Sequence, residues 1–147
     1  TAMVVVRLTP EGTVKYNSEK SRFIDNLQNE LIESIPTNSG RLQVTNRFQY
    51  DPSAPFAQYL LQIKILSTND YDQASVSQII NDMKVLIKDK DTSIMSINNY
   101  TKYLDSSYGL TVNINFWDEI IFKLIGLLIG CIILIIIALW ACRRYPK

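Results

Sequence analysis

The sequence predicts an α+β sandwich followed by a single transmembrane α-helix. Three observations lead there. Short runs of alternating apolar residues recur at intervals through residues 1–116. Between them lie two stretches with apolar residues at helical spacing, Phe23 to Ile35 and Val76 to Ile87. Beyond them, Leu124 to Cys142 is apolar and carries no charge.

Met3 to Leu8 (MVVVRL) is a β-branched run that suits a strand, with Pro10 and Gly12 ending it. From Ser18 the period lengthens. Phe23, Ile24, Leu27, Leu31, Ile32 and Ile35 fall on one helical face, and Asn17 or Ser18 is placed to cap it. Pro36 and the Asn38-Ser39-Gly40 stretch stop this helix. Arg41 to Asp51 then alternates, with Leu42, Val44, Phe48 and Tyr50 on one side. Asp51-Pro52-Ser53-Ala54-Pro55 is a turn, since proline cannot continue a paired strand. Tyr59, Leu61, Ile63 and Ile65 make the third strand. Val76, Ile79, Ile80, Met83, Leu86 and Ile87 form the stripe of a second helix, with Asp70 or Asp72 as its cap. Thr92 to Ile97 reads as a fourth strand, and Leu110, Val112, Ile114 and Phe116 as a further extended segment. The order is β-α-β-β-α-β. Two helices on one face of a four-stranded antiparallel sheet is the ferredoxin-like arrangement.

The run from Leu124 to Cys142 is 19 residues long. At a rise of ~1.5 Å per residue it matches the roughly 30 Å hydrocarbon layer. Trp117 and Trp140 stand near its two ends, where indole rings favour the interface, and Lys123 can snorkel from the boundary. The expected organisation is therefore a domain over 1–116, a juxtamembrane segment and helix over 117–142, and a basic tail over 143–147. Arg143, Arg144 and Lys147 crowd the C-terminal flank, which places the tail in the cytoplasm and the domain outside. That is a single-pass type I protein of the plasma membrane or secretory pathway. The sequon Asn99-Tyr100-Thr101 points the same way and makes Asn99 a candidate glycosylation site. A cytosolic tail-anchored topology is the alternative, because such proteins also end in an apolar helix with a few basic residues.

Composition narrows the chemistry. Residues 1–116 carry 11 Lys/Arg against 12 Asp/Glu, a near balance that argues against nucleic acid as a partner. The chain has no histidine, which removes the commonest general base and metal ligand. Its two cysteines, Cys131 and Cys142, lie in or at the end of the apolar run. Glycine-rich phosphate loops are absent, and the serines have no evident base to activate them. No catalytic residue, cofactor or metal site is expected.

Element order, length and a juxtamembrane position together resemble the SEA domain family. The resemblance spans roughly Met3 to Phe116. It rests on the Phe23-x3-Leu27-x3-Leu31 helix leading into Arg41-Leu42-Gln43-Val44. Many members of that family cleave themselves at a Gly-Ser-Val-Val-Val-like turn between the second and third strands. Here that turn is Tyr50-Asp51-Pro52-Ser53-Ala54-Pro55-Phe56, without the glycine or the β-branched residues. The resemblance therefore implies a non-cleaving member, a folded spacer or association module beside the membrane.

The expected function is accordingly a non-enzymatic cell-surface module. With Thr1 as its first residue, it is expected to be the C-terminal part of a larger type I protein. An accessory subunit of a membrane complex and a cytosolic tail-anchored adaptor are the alternatives. The expected partners are the lipid bilayer and a second copy or another membrane protein. The helix would meet that partner through Gly126 and Gly130, whose GxxxG spacing allows close backbone approach. Cys142 is a candidate palmitoylation site at the boundary. Tyr100, Tyr103, Tyr108 and Trp117 form a candidate contact surface ahead of the helix, since such rings combine apolar area with a polar tip.

Overall fold

A computed structural model of the chain describes residues 1–113 and 116–144, with side chains for 1–112 and 124–144. It divides into two units, Thr1–Ile114 and Asn115–Lys147. The first is an α+β fold built on one four-stranded antiparallel sheet. The second holds a long apolar helix.

β1 (Ala2–Arg7) leads into α1 (Pro10–Ser18) and α2 (Lys20–Ser34); β2 (Leu42–Tyr50) and β3 (Tyr59–Ile65) follow. Next come α3 (Val76–Lys88) and β4 (Leu110–Asn113), and α4 (Phe116–Arg144) forms the second unit. The strands lie in the order β2-β3-β1-β4. Because side chains alternate across a strand, one face of the sheet presents Val4, Val6, Leu61, Ile63 and Ile65, each fully buried. Against it pack Phe23, Leu27 and Leu31 of α2 and Ile79, Met83 and Ile87 of α3, all fully buried. Each such side chain contributes roughly 1.5–3 kcal/mol of burial.

Three expectations are corrected. Pro10 does not merely end the first strand; it opens a helix. Thr9 caps α1, its Oγ1 accepting from the Gly12 N–H at 3.1 Å, and Pro10 sits in the first turn where no N–H is needed. The cap of α2 is Glu19, not Asn17 or Ser18: Asn17 Oδ1 instead accepts from Tyr59 Oη at 3.0 Å. The cap of α3 is Ser75, not Asp70 or Asp72, in a reciprocal capping box with Gln78.

The fourth strand also moves. Thr92 to Ile97 is not extended; 3-10 turns occupy Lys90–Thr92 and Ile94–Ser96. Hydroxyls explain it. Thr92 Oγ1 donates back to the Asp89 carbonyl at 3.1 Å, Ser96 Oγ donates to the Ser93 carbonyl at 2.9 Å, and Ser93 Oγ accepts from the Met95 N–H. Such local bonds compete with extended pairing. Only Met95 turns inward there; Ile94 and Ile97 are exposed by 55% and 79%. The strand position is taken by β4, read from sequence as a further extended segment. It pairs antiparallel with β1, Met3 facing Asn113 and Val6 facing Leu110. Ile114 and the side chain of Phe116 lie outside the described residues.

That register has a topological consequence. Met3 faces Asn113, and Ala2 and Leu42 both face Ile65. The start of β1 and the end of β4 therefore lie at one end of the sheet. The loop joining β2 to β3 and the turn preceding β4 lie at the other.

Candidate functional site

In the second unit, Leu124–Arg144 is a helical stretch of 21 residues, none of it buried, long and apolar enough to cross a membrane. A Cβ added at Gly126 or Gly130 would meet nothing within 4 Å, so both present open backbone. Cys131 and Cys142 are exposed free thiols. The Arg144 guanidinium lies over the Trp140 ring, 4.4 Å from its centre, while Arg143 is exposed on the last turn. The Trp117 side chain and Lys147 lie outside the described residues.

The tyrosines expected to form a contact surface sit in different places. Tyr100 is only 9% exposed, its Oη donating to Glu19 Oε1 at 3.0 Å and its ring edge-on to Phe23. Tyr103 is half-buried against the same core. Tyr108 stacks on the Arg7 guanidinium at 5.0 Å and shares a hydrogen bond with Thr111. They serve three separate packing roles.

Asn99 is exposed, but its sequon is part of a tight structure. Glu30 of α2 accepts three successive backbone N–H groups: Asn99 at 3.1 Å, Tyr100 at 2.9 Å and Thr101 at 2.7 Å. A carboxylate in a nest of backbone donors makes strong, charge-assisted bonds. Thr101 is fully buried, with its hydroxyl donated to the Met95 carbonyl at 3.2 Å. Only the asparagine of the sequon is therefore on the surface.

The polar centre of the first unit was not foreseen. Arg7 at the end of β1 donates through Nη1 to Asp51 at 2.8 Å and through Nε to Asp105 at 3.0 Å. Its Nη2 reaches Ser107 Oγ at 3.2 Å. The two carboxylates are held alike. Asp51 Oδ1 accepts the Ser53 N–H and hydroxyl at 2.9 and 2.6 Å, and Asp105 Oδ1 accepts those of Ser107 at the same distances. Gln58 joins them, its Nε2 donating to Asp105 Oδ2 and to the Leu8 carbonyl.

Asp51 is held down to about 2, chiefly by the Ser53 hydroxyl and then by Arg7. Burial pushes the Asp105 carboxyl up, but bonds from Ser107, Gln58 and Arg7 outweigh it and leave its pKa below the usual value. Both therefore stay ionised at neutral pH, paired to one guanidinium. The repeated Asp-x-Ser at 51–53 and 105–107 is the signal in the sequence that could have found this clasp. Chemically it fastens two loops to β1, since each polar group already has its partner. No group of three or more Cys, Asp or Glu able to hold a metal occurs among the described residues.

No protein-family model, curated protein or solved structure matches the chain.

Proposed function

We propose that the chain is a membrane-anchored, non-enzymatic association module. Its first unit is a ferredoxin-like domain of SEA-like character, held by α4 as a single-pass anchor with the domain on the non-cytoplasmic side. The strand order β2-β3-β1-β4, antiparallel throughout, favours the ferredoxin-like reading. The basic flank with Arg143 and Arg144 favours the orientation. The turn Tyr50 to Phe56 lacks the glycine and the β-branched residues of a self-cleaving turn, which favours one that stays intact.

One observation carries the choice between spacer and association module. Met3 faces Asn113, so the chain joins and leaves the domain at the same end of the sheet. A domain inserted that way adds little to the reach of whatever it connects. That leaves the rest of its surface free for a partner, which suits association. The open backbone at Gly126 and Gly130 supplies a helix face for a second copy.

Two measurements on the full chain test this reading. In sealed microsomes, protease added outside should spare the domain and remove at most the tail. Digestion of the domain would reverse the topology. Two differently tagged copies should be recovered together from detergent, with recovery lowered severalfold by Gly126→Ile, on the order of 1 kcal/mol of helix packing. Equal recovery of the variant would remove the helix face from the proposal.

A further inference from the structure

α1, α2 and the turn at Thr101–Tyr103 enclose a polar cleft of about 370 Å³, lined by Lys15, Arg22, Asn26, Glu30, Asn99 and Lys102. Three segments far apart in sequence thus bring three cations to one place, and the clasp around Arg7 uses none of them. Arg22, Asn26 and Glu30 follow one another at intervals of four residues, so they share a side of α2. Glu30 gathers the N–H groups of Asn99, Tyr100 and Thr101, which fixes the stretch bearing Asn99 and Lys102 against that side.

The carboxylates at the cleft are engaged. Glu30 bonds its three amides, and Glu19, beside the cleft, accepts from the Lys15 ammonium at 3.1 Å and from the Tyr100 hydroxyl at 3.0 Å. The Glu19 carboxyl is held below its ordinary value, first by that bond to Lys15, with the Arg22 charge adding to it. Arg22 and Lys102 are different. Both are exposed, and neither side chain has an acceptor among the described residues; the Lys102 ammonium lies over the Tyr103 ring, 5.2 Å from its centre. Asn26 gives one N–H to the Arg22 carbonyl at 2.9 Å and keeps its oxygen, while the exposed Asn99 amide has no partner among the described residues.

A guanidinium and an ammonium suit carboxylate, sulfate or phosphate oxygens. Two side-chain amides add both donors and acceptors, which is what hydroxyl groups need. The cleft offers little to an apolar side chain. Tyr100 is 9% exposed, and the Tyr103 ring already contacts Phe23 and the Lys102 ammonium. That disfavours an acidic peptide, which anchors through buried aromatic residues, and a nucleic acid, whose bases need a free ring to stack on. An acidic saccharide combines spread anionic groups with hydroxyls and needs no deep apolar pocket. Asn99 is also the exposed residue of the sequon, so a glycan linked there and a ligand in the cleft compete for one space.

We propose that this cleft binds an acidic saccharide, Arg22 and Lys102 taking its sulfate or carboxylate groups and Asn26 and Asn99 its hydroxyls. This names a partner chemistry for the association module above. It rests on that reading for where such a saccharide is met, and not for the binding itself.

The test uses the full chain, isotope-labelled, in maltoside micelles and made in bacteria so that Asn99 is bare. It is titrated separately with a sulfated uronic-acid tetrasaccharide, neutral cellotetraose, inorganic sulfate and tetraglutamate. The acidic tetrasaccharide should saturably shift the Asn26 and Asn99 side-chain amides and the Arg22 Nε–H, and cellotetraose should not. Arg22→Gln and Lys102→Gln, both at exposed positions, should each weaken it about fivefold, and Arg22→Lys less. Lys84→Gln, at an exposed lysine of α3 outside the cleft, should leave the affinity unchanged. No saturable shift overturns the proposal. Equal weakening by Lys84→Gln overturns it too, since that would be diffuse attraction to surface cations. Sulfate binding as tightly as the tetrasaccharide leaves a simple anion site, and tetraglutamate binding as tightly makes the partner an acidic protein; either result overturns the saccharide. Protease protection in microsomes reports on topology independently, so failure of that reading and failure of this site are told apart.

Discussion

Arg7 shows how much of this fold hangs on single side chains. Its side chain is 14% exposed and holds Asp51 and Asp105, themselves 5% and 15% exposed. Arg7→Met should lower the urea midpoint of unfolding, because two enclosed carboxylates lose their cation. Acid separates this from lost packing. Asp51 is lowered from 3.8 to about 2 in the folded state, so its stabilisation is complete above 3.8 and is lost as pH falls toward about 2. Asp105 is lowered too and adds loss in the same direction. The parent domain should thus lose stability through that window. Arg7→Met should lose less there, since less of the depression remains to be lost. Equal acid loss in both would mean that the serines alone hold the carboxylates. Arg7 looked in sequence like one polar residue in an apolar strand. Its partners lie 44 and 98 residues away, beyond any local pattern.

At the scale of elements, the clearest stripes were legible and the punctuation between them was not. α2 and α3 have strong helical periodicity because one face of each is buried against the sheet. α1 has no such stripe: it buries Gly12, Thr13 and Tyr16, and Thr9-Pro10 was its one local signal. Gly12 is there for space. A Cβ built on it would lie 2.7 Å from Tyr103 Cβ and 3.1 Å from the Tyr103 carbonyl oxygen. Gly12→Ala should therefore cost about 1–3 kcal/mol, read from urea unfolding, despite the better helix propensity of alanine. A neutral or stabilising result would show that the turn at Thr101–Tyr103 gives way. Neighbouring turns explain why 92–97 deceived. Its serines and threonine bond to nearby carbonyls, and Glu30 gathers the amides of 99–101, so β-like composition is spent on folded turns.

At the scale of the whole molecule, the first unit has its own core and the second has none of its long apolar stretch buried. A chain ending after Ile114 should consequently unfold in one cooperative thermal transition. Melting without cooperativity would show that the core depends on residues beyond 114. The apolar run and its basic flank, the two principal helices and three of the four strands were determined by the sequence alone. Each is a local matter of period, length or charge, and water or lipid reads it without knowing the rest of the chain. Only the tertiary structure decided which segment completes the sheet and which tyrosines are enclosed. It also decided that each Arg7 nitrogen has a partner while Arg41 Nη2 is buried without one. Those outcomes depend on residues far apart in the chain meeting in space, and composition at either place does not encode the meeting.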